Sequence, residues 1–181
     1  KTLFPENYHY RSKATSVVVG GMRNLVDSCI KRYGSLIGLN VLDIGCNDGT
    51  LLDLFKLKGA NTYGIEPTGA AIEAMQRHKV IKDFFDMENA ESLIKNYGEF
   101  DLITFTNVFA HIEDFSSLIR NLKIIMSDKT KLIIENHYLG SVLKKKQFDT
   151  FYQEHPRTYS LTSFVEVAKK LHRNISGLEF P

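Results

Sequence analysis

Tryptophan is absent from this 181-residue chain, and only two cysteines (Cys29 and Cys46) and four prolines occur. Two thiols cannot build a disulfide framework or a four-thiolate zinc site. Nor does any cluster of His, Cys and Asp have metal-ligand spacing, which predicts no metal. No stretch is rich in Pro, Gly or Ser, so the chain has neither a linker nor a low-complexity tract. An excess of charge of one sign is missing too. The 23 Lys and Arg face 21 Asp and Glu, a net of +2, too small to point to nucleic acid or an anionic membrane. No apolar run approaches the roughly 18 residues of a membrane span, and no signal-peptide pattern opens the chain. The expectation is a cytoplasmic protein with no membrane and no nucleic-acid partner. Lys1 is not an initiator methionine and Pro181 breaks off in mid-pattern, so both ends are expected to be trimmed.

What is present is the material of a globular core: 43% apolar and 24% charged residues, with 12 Phe and 8 Tyr. A chain of this length can bury roughly 70% of its unfolded surface. Residues 1–13 read as an irregular aromatic lead with Phe4, Tyr8 and Tyr10. Over 14–33, Val18, Met22, Leu25, Val26, Cys29 and Ile30 recur at helical spacing, although Gly20 and Gly21 weaken the first turns. Lead and helix form a segment 1–35, and 36–181 forms the main body, which is expected to be cut short at its carboxyl end. Five short apolar runs rich in β-branched or aromatic residues follow, at 41–44, 62–65, 80–84, 102–106 and 131–135. Helical patterns lie between them at 51–58, 69–78, 88–96 and 115–126, with a further one at 161–171. Residues 175–180 could start a sixth strand. Strand and helix in alternation predict an α/β fold, a doubly wound, mostly parallel sheet with helices on both faces. Such sheets bind ligands beyond the carboxyl ends of their strands.

The first strand and its loop, Val41-Leu42-Asp43-Ile44-Gly45-Cys46-Asn47-Asp48-Gly49-Thr50, carry the most information. Gly45 and Gly49 allow a tight strand-to-helix turn and close approach of a ligand to the backbone. A dinucleotide loop would want glycines where Asn47 and Thr50 stand, and a pyrophosphate would be repelled by Asp43 and Asp48. Two carboxylates suit a ligand with ammonium and sulfonium charges. Glu66 ends the second run, in Gly64-Ile65-Glu66-Pro67, where its carboxylate can accept both ribose hydroxyls of an adenosine.

With these residues assembled, the chain resembles the class I S-adenosylmethionine-dependent methyltransferases, a Rossmann-like family, over about residues 40–171. The resemblance implies S-adenosylmethionine as cofactor. It implies Asp43, Gly45, Asn47 and Gly49 around the methionine part, and Glu66 with Pro67 at the ribose. Asp83 and Phe84 would lie beside the adenine, with core packing as the alternative for Phe84. Asn107 and Val108 would close the pocket.

Two absences narrow the acceptor. The Pro-Pro-aromatic run of amino-methylating enzymes is replaced by Asn107-Val108-Phe109-Ala110-His111, and no cysteine stands there for attack on cytosine carbon. The basic run Lys144-Lys145-Lys146 reads as a solvated helix end, or as a lure for a nucleotide-sugar phosphate. The lead Phe4-Pro5-Glu6-Asn7-Tyr8-His9-Tyr10-Arg11-Ser12, the Asn-Asp-Gly loop core and the stretch Gln147–His155 together look like the sugar C-methyltransferases. These act on nucleotide-linked keto-deoxysugars, so the acceptor implied is a nucleotide sugar. The family's Tyr-His-Glu-His motif falls here on Tyr152-Gln153-Glu154-His155. It implies His155 as general base beside Glu154 and Tyr152, and it places a second family histidine at His111. Gln153 departs from that motif, and neither the family's cysteine-rich zinc module nor its carboxyl-terminal substrate domain is found here. An O- or N-methyltransferase of another small molecule, or a non-catalytic cofactor-binding module, stays open beside the sugar reading.

Overall fold

Short runs of consecutive buried residues decide where the central strands lie. In a computed structural model describing residues 9–147, 151 and 157–179, five strands form one parallel sheet in the order β3-β2-β1-β4-β5. They are β1 (Asn40–Ile44), β2 (Asn61–Ile65), β3 (Lys79–Ile81), β4 (Leu102–Thr106) and β5 (Lys131–Glu135). Leu42 and Ile44 of β1 share one face with Tyr63, Ile65, Ile103 and Phe105, whereas Val41 and Leu102 face the other way. That is the two-residue period of a strand buried on both sides. The chain winds outward through β2 and β3, then returns to pair β4 on the opposite side of β1. The switch point between β1 and β4 is where this topology places a ligand crevice.

Helices cover both faces. Met22, Val26 and Cys29 of α1 (Ser16–Tyr33) and Leu51 and Phe55 of α2 (Thr50–Leu57) cover one face. Residues of α4 (Met87–Tyr97), α5 (Phe115–Ile125) and α7 (Leu161–Lys170) cover the other. A capping box between Ser160 and Ser163 starts α7 by satisfying backbone donors that a helix leaves open. The glycine pair at 20–21 does not interrupt α1, because burial of its apolar stripe outweighs a helix penalty of about 1 kcal/mol per glycine.

Three expectations change. The third strand is Lys79–Ile81, not 80–84: its partner β2 stops at Ile65, and after it Asp83 accepts from the Phe84 amide (2.7 Å) while Asp86 caps α4. The helix read at 69–78 contracts to α3 (Ala71–Met75), because His78 turns inward to bond Thr62 (2.8 Å) and Asp53 (3.0 Å). Residues 175–179 form no strand; Arg32 of α1 holds them through the Ser176 carbonyl (3.0 Å) and Glu179 (3.1 Å). A helix the sequence reading did not separate, α6 (Leu139–Lys145), follows β5. Among the described residues β5 is the sheet's outer strand on that side. No helix there is long and apolar enough to cross a membrane.

The aromatic core centres on Phe109, in a single 3-10 turn after β4. Its ring lies 5.4 Å from Phe105, 5.2 Å from Tyr159 and 6.0 Å from Phe164, joining the sheet to α7. Phe109→Ala should cost about 3–5 kcal/mol, as aromatic truncations in packed cores do. Urea unfolding checks this, and a midpoint equal to the parent's would show that α7 docks without it.

Candidate functional site

The loop between β1 and α2 is held open by its own chemistry. Gly45 and Gly49 sit at φ +78° and +82°. A Cβ on Gly45 would overlap the Val108 side chain, and one on Gly49 would press on His78 and Ala74. Asn47 also takes a left-handed conformation, φ +50°, which asparagine tolerates better than most residues.

Glu66 stands at the end of β2 and is almost fully buried. One carboxylate oxygen accepts the Asn47 amide (3.0 Å) and the other the Thr68 amide (2.9 Å). A single side chain thus joins the loops after β1 and β2, and each oxygen keeps lone-pair capacity for a further donor. Pro67 beside it is half-buried.

Asp43 is buried inside β1 and accepts one side-chain hydrogen bond, from the Thr104 hydroxyl at 2.7 Å. Burial pushes its carboxyl up to about 7, the Thr104 bond opposing and the nearby charges of Glu66 and Glu135 adding to the rise. The Cys46 thiol is likewise pushed well up, mainly by burial. His78, under Gly49, is shifted down by burial against the pull of Asp53.

The aromatic lead crosses this loop. Asn47 accepts the Ser12 amide (3.0 Å) and donates to the Tyr10 carbonyl (3.2 Å), while Asp48 accepts the Lys13 amide (3.2 Å). Arg11 and Lys13 both grip Glu73 of α3, at 2.7 and 2.5 Å, and hold its carboxyl down at about 2.

Asp43, Gly45, Asn47, Gly49, Glu66, Pro67 and Val108 are thereby gathered around one crevice. The side chain of Asn47 is taken up by the lead, so what it offers is position. Asp83 and Phe84 lie in the loop after β3. Phe84 is 49% exposed, which removes core packing as the account of that ring. Asn107 is exposed at φ +56°, and its amide donates to the Glu135 carbonyl at 3.0 Å. His111 closes the 3-10 turn containing Phe109. Tyr152, Glu154 and His155 lie outside the described residues. Just past them, Arg157 donates to the Ile112 carbonyl, next to His111.

Thr104, Thr68 and Glu135 are the residues that sequence reasoning missed. Thr104 could have been noticed as a polar residue amid an apolar strand. Glu135 repeats the pattern of Glu66, a carboxylate ending an apolar run. A cavity of about 390 Å³ lined by Lys56, Asn61, Thr62, Arg77 and Lys79 opens at the amino ends of β2 and β3, away from these carboxylates. No metal-ligating cluster occurs among the described residues. The donor set of the crevice fits an adenosine whose tail is cationic: paired acceptors at Glu66, a glycine at the closest approach and, at Asp43, a buried carboxyl bonded to a hydroxyl and to no cation.

Comparison with known proteins agrees with that chemistry. Residues 20–171 match the methyltransferase domain family. The C-methyltransferase NovU of Streptomyces niveus is 30% identical over 159 residues, covering 87% of this chain and 38% of that protein. A ubiquinone biosynthesis O-methyltransferase of Pseudomonas putida is 34% identical over 95 residues, 50% of this chain and 41% of that one. The chain therefore spans about two fifths of the length of these relatives. Among solved structures, a SAM-dependent methyltransferase from Archaeoglobus fulgidus superposes with TM-score 0.62 at 23% identity, over 82% of this chain and 68% of that one. Magnesium protoporphyrin IX methyltransferase from Synechocystis, with bound SAH, gives 0.61 at 20% identity, over 91% and 78%.

The buried Asp43 has a measurable consequence. Its carboxyl keeps its proton in the folded state after the unfolded chain has lost it near 3.9. Folded stability should therefore fall as pH rises from about 4 to about 7 and then level off. Asp43→Asn should flatten that fall, as read from urea unfolding at pH 4.5 and 7.5. Identical slopes in the two proteins would place the proton elsewhere.

Proposed function

The chain belongs to the methyltransferase domain family, and from that premise we propose that it transfers a methyl group from S-adenosylmethionine to a nucleotide-linked sugar, with His155 as general base. The observation that carries the donor half is the join between Glu66 and the glycine turn. A buried carboxylate with spare acceptor capacity ends the strand next to that turn, where a ribose diol has two hydroxyls to donate. The bound donor supplies an activated sulfonium methyl.

The chain's own residues then have two tasks, orienting the acceptor and removing its proton. A carbon beside a ketone, or a sugar hydroxyl, is nearly inert at neutral pH until a base acts. Histidine, with an ordinary pKa near 6.5, suits that task. In this reading Glu154 fixes the tautomer of His155, and Tyr152 and His111 line the acceptor side. The tether from Arg157 to Ile112 supports it, because it brings the chain two residues past His155 beside His111. Asn107 and Val108 close the pocket, and Asp83 and Phe84 receive the adenine. Similarity to a C-methyltransferase over 87% of the chain favours carbon as the methylated atom. The similarity to ubiquinone O-methyltransferases over half the chain supports a second reading, methylation of oxygen on another small molecule.

A mass-spectrometric screen of nucleotide sugars with labelled methyl donor tests the proposal; label found only on non-sugar phenols would favour the second reading. Glu66→Gln should weaken S-adenosylhomocysteine binding by about 1.5–3 kcal/mol, the scale of charged hydrogen bonds. Calorimetry checks it, and an unchanged dissociation constant would move the ribose elsewhere. His155→Ala should lower turnover roughly 10²- to 10⁴-fold and leave donor affinity within about twofold. Full activity would shift the base to His111, and lost donor binding would put His155 in the cofactor pocket.

A further inference from the structure

The parallel register places four positions in one row across the carboxyl end of the sheet. Asp43 pairs with Gly64 on one side and Thr104 on the other, and Thr104 pairs with Ile133. Two residues further along each strand, on the same face, stand Glu66, Gly45, Thr106 and Glu135, the last two directly paired. With strands about 4.8 Å apart, the blank position at Gly45 lies between a carboxylate one strand away and another two strands away. Each oxygen of Glu66 already accepts one backbone amide. The Glu135 carboxylate has no such bond to a described residue. It is half-buried, burial pushes its carboxyl up, and no side-chain hydrogen bond or ion pair joins it to any described residue. Its neighbour in the row, Thr106, has a hydroxyl that is buried without a partner. Asp43 lies one pleat below, close enough to feel the charge of Glu135.

Among the described residues, a carboxylate with no partner, a buried carboxyl held only by a threonine hydroxyl and an unpartnered hydroxyl thus share one face, with no cationic side chain bonded to them. Desolvated like charges are costly unless something compensates them. If Glu66 holds the ribose, the donor's tail runs along the row towards β4 and β5, where its sulfonium meets the field of these groups. Loss of the methyl turns that sulfonium into a neutral thioether. We infer that Glu135 reads the charge of the cofactor, favouring S-adenosylmethionine over S-adenosylhomocysteine and so helping the spent cofactor to leave. This inference rests on the reading that the crevice binds S-adenosylmethionine, and on no particular acceptor. Glu135 sits on the far side of Asp43 from the ribose, so its effect is on the charged centre alone.

Calorimetry with each cofactor separately, on the parent chain and on Glu135→Gln, tests it. The substitution should weaken S-adenosylmethionine binding about tenfold, the scale of one charge pair at intermediate distance. S-adenosylhomocysteine affinity should stay within about twofold. The ligand-free variant should melt at the same temperature as the parent or higher, because the carboxylate has no folded partner to lose. Equal losses for both cofactors would make Glu135 a general pocket residue and overturn the inference. Unchanged affinities for both would also overturn it and move Glu135 to the acceptor side. A lowered melting temperature would assign it a structural role instead. If the parent chain bound neither cofactor, the donor reading itself would fall, and this inference with it.

Discussion

A buried carboxylate has to be given donors, and in this fold the donors given to Glu66 are the amides of two different loops. One comes from the turn after β1, the other from the turn after β2. Each amide would otherwise be a buried donor without an acceptor, a loss of about 1–3 kcal/mol. The bond to Asn47 helps to hold that residue left-handed. With the turn so shaped, Asn47 presents its side-chain amide to the lead, and Asp48 presents its carboxylate to the Lys13 amide. The crevice is thus built outward from one side chain, through backbone groups, to a segment some 35 residues earlier in the chain.

Electrostatics divide the site into two unlike zones. Around Glu73, Arg11 and Lys13 neutralise a carboxylate at the surface; such exposed pairs fix geometry more than they stabilise. Beneath, Asp43 has a threonine hydroxyl but no cation. The outer zone is complete in the free protein, and the inner one is left uncompensated. A binding site trades stability in this way when its missing partner is the ligand.

Much of the scaffold could be read from residue spacing. The 41–44, 62–65 and 102–106 runs became β1, β2 and β4 because β-branched and aromatic residues buried on both faces have few other options, and the half-buried 131–135 run became β5 at the sheet's edge. The third run was overextended, because Lys82-Asp83-Phe84 looks strand-like until one knows that β2 has already ended. His78 defeated the helical reading of 69–78 for a related reason, since its partners Thr62 and Asp53 lie on other elements and no local pattern announces them. At the site, Gly45, Gly49 and Glu66 were legible because backbone conformation and strand-end placement leave marks in sequence. Thr104 was not, since its importance comes only from the β1–β4 register. Asn47 was legible as a loop residue, but its grip on the lead needed the fold.

One further consequence follows from β5, the outer strand of the sheet among the described residues. Its outer row of backbone amides and carbonyls is a template for another strand, and Leu132, Ile133 and Ile134 along it are only half-buried. Edges of this kind invite intermolecular pairing unless a charge or a bulge interrupts them. Here the charges stand only at the two ends, Lys131 and Glu135, with three apolar residues between. Among the described residues, β5 is therefore the strand along which pairing with a further strand would begin.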